Sequence, residues 1–358
     1  MRLASPEQWL SQFRHGDRLL VEEIEELDWV RFTELCTRHL PRANGGFSLE
    51  FSPGDPVRVD VSVRMDERER HRIVLPTHAP APLVETLRAW RSPARFHCMP
   101  HVEIGFDGPP GRNPDGQQAI HSCVAATLVP TERGLASMRG SDSGREIEST
   151  IQRVLAVGSL VSGEKLATSF ARSMHELVAG FPSGTVLQYV APLSGRGRSN
   201  QKEDQQTRLR LIVCMPTAAW FEWTARGRGV PAQLGLVSVM RHLGMRWPSL
   251  SFDIDLTPDG IGTSTGLYFS VRAFNHRDND LRAHLCHMIE LFPKTKTIME
   301  LALRWSENGS EANGRVCQGR AVTTKLRLEH GVPVGAKVYL SLFGYGADDP
   351  ETQGLSQP

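Results

Sequence analysis

The sequence has no excess of either charge and no long apolar run. Its 358 residues carry 41 Lys and Arg against 40 Asp and Glu, so the whole chain lacks the positive field that attracts nucleic acid or an anionic membrane surface. No segment supplies about 18 consecutive apolar residues, and the first residues lack the apolar core of a signal peptide. We therefore expect a cytoplasmic protein with neither nucleic acid nor membrane as a partner.

Several motifs that mark metal or nucleotide sites are also missing. The six cysteines are scattered, without a CxxC pair or a Cys/His spacing suited to zinc. There is no Walker loop, no GxGxxG and no DDxxD motif; the nearest candidates are Asp253 with Asp255 and Asp278 with Asp280. The sequence therefore predicts no metal site and no bound cofactor.

What the sequence does contain is a repeat, in which helical periodicity leads to two short segments of alternating polarity. Helical patterns lie at 7–13, 19–39, 83–90, 145–157 and 165–179, within 218–243 and within 280–305. The predicted strands are 47–52, 57–65, 101–107, 119–129, 186–192, 207–215, 249–257, 266–274, 321–330 and 336–344. This pattern predicts an α+β fold with one domain over residues 1–344 and a disordered tail over residues 345–358.

Each predicted strand has an apolar face and an ionic face, as where Val59, Val61 and Val63 alternate with Asp60 and Ser62. A half-exposed antiparallel sheet is the commonest cause of such alternation, and parity alone is compatible with it. The polar face nevertheless carries Tyr and Arg beside carboxylates, and an open sheet of ten strands leaves two edges to protect. We therefore predict a closed ten-stranded antiparallel β-barrel with a polar lumen, surrounded by helices.

Basic side chains from distant strands fall on or near the lumen parity: Arg58, Arg208, Arg210, Arg272, Lys325, Arg327 and Lys337. If they converge, they can bind a multiply charged anion, and the planar guanidinium group suits diphosphate. An allylic diphosphate that ionises to a carbocation needs a dry site with electron-rich ring faces. Tyr268 and Tyr339 are placed to supply them, with Tyr189 a further candidate among only four tyrosines.

These segments resemble the dimethylallyl tryptophan synthase family of aromatic prenyltransferases. GGFSLEFS followed by VRVDVSV resembles the first hairpin of that family, which implies that Glu50 contacts the acceptor and that Arg58 binds diphosphate. TRLRLIV resembles the family's Arg-x-Lys-x-Tyr strand, which implies that Arg208 and Arg210 bind diphosphate. Ile212 stands where that strand usually has its tyrosine.

Two further segments resemble later strands of the family. GLYFSVR resembles a strand that usually reads Lys-x-Tyr-Phe-Pro-Val-Arg and places Tyr268, with Gly266 in place of the lysine. AKVYLSLF resembles the last strand and places Tyr339. In the second unit Ala125 and Thr127 stand where a lysine and a tyrosine are usual. The resemblance implies a PT barrel of five ααββ units, of the bacterial type, with a donor site less basic than the family pattern.

The resemblance also implies an enzyme of secondary metabolism, such as alkaloid biosynthesis. It would move a dimethylallyl group from its diphosphate to an indole or tryptophan-like acceptor, without a metal in the catalytic step. Arg58, Arg208 and Arg210 would bind the diphosphate, and Lys337 is a possible helper on parity grounds.

The acceptor side of the reaction depends on Glu50, which would accept a hydrogen bond from the indole N–H. Its structural alternative is a lumen ion pair with Arg58 or Arg64. His101 and Glu103 are secondary candidates for removing the final proton. Two other functions stay open: a transferase of the same fold acting on tyrosine, phenolic or peptide acceptors, and a degenerate barrel that binds a small molecule without chemistry.

Overall fold

A computed structural model provides the structure of the chain. It describes residues 3–16, 29–53, 58–76, 79, 81–92, 101–106, 122–127, 143–162, 166, 168–182, 184–192, 208–225, 249–272, 278–307, 317–330 and 332–344. Within these ranges, no helix combines the length and the apolar character needed to cross a bilayer.

Ten antiparallel strands form a single curled sheet. They are β1 (Gly46–Ser52), β2 (Arg58–Asp66), β3 (His101–Phe106), β4 (Ser122–Thr127), β5 (Val186–Pro192), β6 (Leu209–Pro216), β7 (Ser249–Thr257), β8 (Gly260–Arg272), β9 (Cys317–Glu329) and β10 (Val332–Gly344). Each strand pairs with its neighbours in sequence, and β1 also pairs with β10. The five predicted hairpins are present, and the predicted α+β class is confirmed.

Helices separate the hairpins along the chain. The described ones are α1 (Pro6–Gly16), α2 (Trp29–His39), α3 (Ala81–Arg91), α4 (Ser143–Ser162), α5 (Thr168–Ala179), α6 (Thr217–Ala225), α7 (Asp278–Leu291) and α8 (Lys296–Glu307). Short 3-10 turns lie at Glu67–Glu69 and Pro293–Thr295. Helices pack on the outside of the sheet because its apolar residues point outward.

That apolar outer face was predicted from strand parity. Phe47 and Val63 are at most 1% exposed, and the Trp9 ring of α1 stacks on Phe47 at 6.4 Å between centroids. In the same layer Phe13 stacks on Trp305 of α8 at 5.9 Å. Burial of each large apolar side chain stabilises the fold by about 1.5–3 kcal/mol. These contacts place the core between the sheet and the helices, and the inner face is left to polar residues.

The pairing between neighbouring strands is uneven. Among the described residues, β9 and β10 share twelve register pairs, whereas β4 and β5 share two, Ala126 with Val190 and Thr127 with Tyr189. Each register pair contributes main-chain hydrogen bonds and cross-strand side-chain contacts. The β4–β5 contact is therefore the narrowest link of the described sheet.

Three strands begin at least four residues earlier than predicted. β8 begins at Gly260, β9 at Cys317 and β10 at Val332, whereas the sequence predicted starts at residues 266, 321 and 336. The segment 260–266 reads GIGTSTG, whose glycines and small polar residues do not alternate in polarity. It is nevertheless held in the sheet by pairing, with Ser264 opposite Glu329, and Gly260 has a φ of +135° at the tight turn from β7.

Parts of several predicted elements lie outside the described residues. They are residues 19–28 and 226–243 of predicted helical segments, residues 165 and 167 of another, and residues 57, 107, 119–121, 128–129, 207 and 273–274 of predicted strands. The predicted tail at residues 345–358 lies outside them as well.

A buried carboxylate fixes the chain at one end of β1 and β2. Glu69 is 4% exposed and accepts hydrogen bonds from the backbone N–H groups of Asn44 (2.7 Å), Gly45 (3.1 Å) and Asp66 (2.9 Å). Burial raises the pKa of Glu69, although these hydrogen bonds oppose the shift. Glu69 therefore joins the segment that enters β1 to the segment that leaves β2. We call Glu69, Arg64, Asp66, His101 and Glu103 the β2–β3 end cluster.

Candidate functional site

The candidate site lies on the polar inner face of β6 to β10 and β1. Register places Arg210 opposite Asp255 and Tyr268 opposite Lys325, and it places Tyr339 opposite Glu50. Residues opposite each other in an antiparallel sheet project to the same face. Six strands thus bring their charged and aromatic side chains to one surface, which we call the lumen cluster: Arg210, Asp253, Asp255, Tyr268, Lys325, Lys337, Tyr339 and Glu50.

Asp253 is the centre of this cluster and is 1% exposed. Its carboxylate accepts hydrogen bonds from the Lys325 ammonium, from the backbone N–H of Gly266 and from the Tyr268 hydroxyl, the last at 3.0 Å. The Nε of Arg210 lies 3.5 Å from Asp253 Oδ2. Donors from β6, β8 and β9 therefore converge on a single buried anion.

Arg210 binds a second carboxylate with better geometry. Its Nε donates to Asp255 Oδ1 at 2.7 Å and its Nη2 donates to Asp255 Oδ2 at 2.9 Å. This is the bidentate arrangement in which a guanidinium group holds a carboxylate or phosphate most strongly. The Arg210 side chain is 22% exposed and the Asp255 side chain 6%, so the guanidinium group is the more accessible member of the pair.

These contacts fix the protonation states in the cluster. Burial on its own would raise the pKa of Asp253, but the charges of Arg210 and Lys325 hold that pKa below its usual value. Burial raises the pKa of Tyr268 well above its usual range, and the Asp253 carboxylate raises it further. Asp253 is therefore an anion near neutral pH, and Tyr268 is a neutral hydrogen-bond donor.

Two tyrosine rings adjoin this charged group. The centroids of Tyr268 and Tyr339 lie 6.1 Å apart with an interplanar angle of 47°, and the Lys325 Nζ lies 4.9 Å from the centroid of Tyr268. Since the Tyr268 hydroxyl is bound to Asp253, its ring has a fixed orientation. The lumen cluster thus includes an aromatic surface that already holds a cation.

Beyond the tyrosines, the Lys337 ammonium contacts Glu50 Oε1. Both side chains are partly accessible, at 22% and 20% exposed. The prediction for Glu50 included an ion pair with Arg58 or Arg64 as its alternative, and the structure shows Lys337 as an ion-pair partner. Lys337 was predicted to assist diphosphate binding, and the structure places it beside the carboxylate predicted to orient the acceptor.

Gly266 is required by the path of Lys325. A Cβ atom at position 266 would overlap Lys325 Cε and lie within 3.1 Å of Asp253 Oδ1. The absence of a side chain therefore lets Lys325 cross the strand and reach Asp253. The lysine of the neighbouring strand occupies the room beside Gly266.

The structure describes the other predicted diphosphate ligands only in part. Arg58 is the first residue of β2 and pairs with Ser52, but its side chain lies outside the described part, as does that of Arg272. Arg208 is exposed and lies one residue before β6. Tyr189 is partly buried and pairs with Ile212 of β6, which lies opposite Asp253.

The two secondary candidates for a base lie elsewhere on the sheet. Glu103 is opposite Arg64, and His101 is opposite Asp66, whereas Glu50 is opposite Asp60. Four residues of β2 separate Asp60 from Arg64, which is about 13 Å along an extended strand. Burial lowers the pKa of His101 to about 3, assisted by the charges of Arg64 and Arg68. The structure therefore places His101 and Glu103 in the β2–β3 end cluster, away from Glu50.

No family model and no curated protein matches the chain. The chain aligns with solved structures of prenyltransferases at low sequence identity. 5-Dimethylallyltryptophan synthase from Streptomyces coelicolor has 13% identity and a TM-score of 0.46, over 97% of this chain and 99% of that chain. Prenyltransferase PriB, in a ternary complex with L-tryptophan and dimethylallyl thiolodiphosphate, has 12% identity and a TM-score of 0.42, over 84% of this chain and 79% of that chain. AnaPT from Neosartorya fischeri has 12% identity and a TM-score of 0.44, over 84% and 79%.

The site contains three residues that the sequence did not single out. Asp253 and Asp255 were noted only as an imperfect metal motif, and Lys325 only as one of several basic residues on the polar parity. The signal for all three was their place on the polar face, where Asp253 and Asp255 alternate with Phe252, Ile254 and Leu256. In the described part of the chain, no group of three or more His, Cys, Asp or Glu side chains is arranged to hold a metal ion.

Proposed function

We propose that the chain is an aromatic prenyltransferase, which moves a dimethylallyl group from its diphosphate to an indole or tryptophan-like acceptor in the lumen. The observation that carries the proposal is the order of groups across the lumen cluster. Arg210 and the Lys325 ammonium, which reaches Asp253 of β7, lie toward one side of the Tyr268–Tyr339 pair, and the partly accessible carboxylate of Glu50, with Lys337, lies on the other. That order matches the three parts of the reaction, which are leaving group, carbocation and acceptor.

The donor end of the proposed site consists of Arg210 and Lys325, with Arg58 and Arg208 as further ligands implied by sequence. Arg210 forms a bidentate pair with a carboxylate, and the same two N–H groups fit two oxygens of a diphosphate. When the C–O bond of the allylic diphosphate breaks, its electron pair leaves with the diphosphate. Positive groups that stabilise this developing charge lower the barrier.

The tyrosine pair suits the carbocation formed in that step. A ring face attracts a cation by about 1–2 kcal/mol in a dry site, and the ring of Tyr268 already has an ammonium group 4.9 Å from its centroid. Tyr339 lies next to it, and Tyr189 is a third candidate at the β5 side of the site. Exclusion of water by this aromatic surface would protect the cation from hydrolysis.

The acceptor end of the proposed site is Glu50. In this proposal its carboxylate accepts a hydrogen bond from the indole N–H, which orients the ring and increases its nucleophilicity. As the acceptor enters, Lys337 then leaves Glu50 for another partner. The aromatic carbon forms a bond to the allylic cation, and the resulting ring cation loses a proton to a base. His101 and Glu103 are weak candidates for that base because they lie in the β2–β3 end cluster.

The proposal also includes the domain organisation of the chain and a reaction without a metal ion. We assign residues 1–344 to a single catalytic domain, a PT barrel of five ααββ units. We also assign the reaction to metal-independent chemistry, because the lumen cluster offers basic side chains for the diphosphate directly. Dimethylallyl diphosphate and a small aromatic molecule are the partners that this reaction requires.

One observation favours a second candidate, a barrel that binds a small molecule without chemistry. Each of the three described cations in the lumen cluster, Arg210, Lys325 and Lys337, contacts a carboxylate of the chain. A lumen balanced in this way has less positive charge for a diphosphate. A transferase of the same fold acting on tyrosine, phenolic or peptide acceptors is the remaining alternative.

Isotope-labelled dimethylallyl diphosphate, incubated with tryptophan, indole, tyrosine or a tyrosine-containing peptide, separates the three candidates. We expect labelled product with tryptophan or indole, at a rate that a chelator leaves unchanged. Transfer that a chelator abolishes would contradict the metal-independent reaction. Product only with tyrosine or the peptide would favour the alternative acceptors, and no transfer to any acceptor would favour the binding protein.

The Glu50→Gln variant tests the acceptor end of the site. We expect turnover with indole to fall by about 10- to 100-fold, because an amide is a much weaker acceptor than a carboxylate for the indole N–H. Glu300→Gln is the control, since Glu300 lies in α8 and pairs only loosely with Lys296, at 3.8 Å. Full turnover of Glu50→Gln with an indole acceptor would rule out this role.

A further inference from the structure

The carboxylates of the lumen cluster stand where an anionic ligand would be expected. Asp253 accepts from an ammonium, a tyrosine hydroxyl and a backbone N–H, with a guanidinium Nε at 3.5 Å. Asp255 takes both arms of Arg210. Converging donors of this kind are the usual construction of a phosphate site, but here they surround two anions of the chain itself.

The cations are the partners able to move. Asp253 and Asp255 have short side chains on β7 and are 1% and 4% exposed, so their carboxylates are fixed by the sheet. Arg210 and Lys325 have long side chains with several rotatable bonds, and Lys325 reaches Asp253 only by lying across Gly266. Rotation of these two side chains changes their partner without any movement of the backbone.

We propose that Asp253 and Asp255 are resting counter-ions of the donor site, and that Arg210 and Lys325 turn from them to the diphosphate when it binds. The inference rests on the proposed function in one respect, the choice of diphosphate as the ligand. Lys325 is then a residue that binds the prenyl donor, and Asp255 is a positioning residue that competes with the ligand for Arg210. Removal of the Asp255 charge then strengthens diphosphate binding, whereas a carboxylate that merely supported Arg210 would weaken binding when removed.

The test is calorimetric titration of inorganic diphosphate into the full chain and its variants. For Asp255→Asn we expect about tenfold tighter binding, because Arg210 no longer has to leave a charged partner. For Lys325→Met we expect binding weaker by about tenfold or more. Asp259→Asn is the matched control: it is the same substitution in the exposed β7–β8 turn, four residues from Asp255, and should leave the affinity within about twofold.

Each result decides the inference separately from the function. Weaker or unchanged binding by Asp255→Asn, in a variant whose circular dichroism and urea midpoint show a folded protein, overturns the counter-ion role. Wild-type affinity in Lys325→Met overturns the role of Lys325. No diphosphate binding by wild type or by Asp255→Asn overturns the inference as a whole. The transfer assay reports on the proposed function independently, since tighter diphosphate binding without transfer would contradict the function and leave the counter-ions in place.

Discussion

Two charged regions of the structure differ in what their charges contact. In the lumen cluster, long cationic side chains meet carboxylates beside two tyrosine rings. In the β2–β3 end cluster, Glu69 instead binds three backbone N–H groups, and His101 is buried without charge at neutral pH. A charge bound to backbone fixes the chain, whereas a charge bound to a flexible side chain can exchange its partner. We therefore expect chemistry in the first region and a contribution to stability from the second.

The largest expected effect is on activity, from Arg210→Met. We expect the kcat/KM of prenyl transfer to fall by about 100- to 1000-fold, because the proposed donor site loses a principal charge for the leaving diphosphate. Steady-state kinetics with the labelled donor measure it. Arg91→Met is the comparison, since Arg91 donates to backbone carbonyls of Arg70 and Ile73 outside the lumen. Similar kinetics in the two variants would show that the lumen cluster is not the donor site.

The next effect is on stability, from Glu69→Ala. Three backbone N–H groups lose their acceptor, and we expect the free energy of unfolding to fall by about 2–4 kcal/mol. The midpoint of urea denaturation measures it, with Glu67→Ala as the control because the Glu67 side chain is 47% exposed. Equal midpoints for the two variants would remove the structural role assigned to Glu69.

The sequence predicted some strands of the sheet and missed parts of others. The apolar face of β2 was predicted from Val59, Val61 and Val63, because burial on one face of a strand imposes period-two alternation. The start of β8 was missed because GIGTSTG has no alternation, and its place in the sheet comes from pairing with β7 and β9. Local pattern therefore predicted the strands that bury apolar residues, and did not predict strand segments held by their neighbours alone.

The site was predicted less completely for a related reason. Parity placed Glu50, Arg210, Tyr268 and Tyr339 on the polar face, and the structure brings them into one cluster. Parity does not determine register, so it could not show that Lys325 reaches Asp253, which lies 72 residues away in sequence. The ion-pair partners were uncertain for the same reason, and the contact between Lys337 and Glu50 was not predicted.

A third prediction concerns pH and sharpens the contrast between the regions. The pKa of His101 is about 3 in the folded protein and about 6.5 in an unfolded chain, so the unfolded state takes up a proton first as the pH falls. The stabilisation that comes from neutral His101 is therefore fully present above about pH 6.5. It is lost as the pH falls toward 3, by at most about 1.4 kcal/mol per pH unit. Urea midpoints between pH 7 and pH 4 measure the slope, and His101→Gln should make it shallower. An unchanged slope would mean that His101 is not buried neutral.

The smallest expected effect is that of Glu103→Gln on turnover. Because Glu103 lies in the β2–β3 end cluster, we expect the kcat of prenyl transfer to stay within about twofold of the wild-type value. A pH–rate profile of this variant provides the measurement. A large fall in kcat, together with loss of one limb of the profile, would identify Glu103 as the base and would join the two regions into a single site.

Gly266 and Lys325 also constrain how this sequence can change over evolutionary time. A side chain at position 266 overlaps the aliphatic part of Lys325, so an ordinary residue at 266 and a lysine lying across it are mutually exclusive. A substitution at only one of these two positions leaves Asp253 buried with one cation fewer, which is costly. Related sequences are therefore expected to carry one of two states: glycine at 266 with a long cation at position 325 of the neighbouring strand, or a larger residue at 266 with a shorter one at 325.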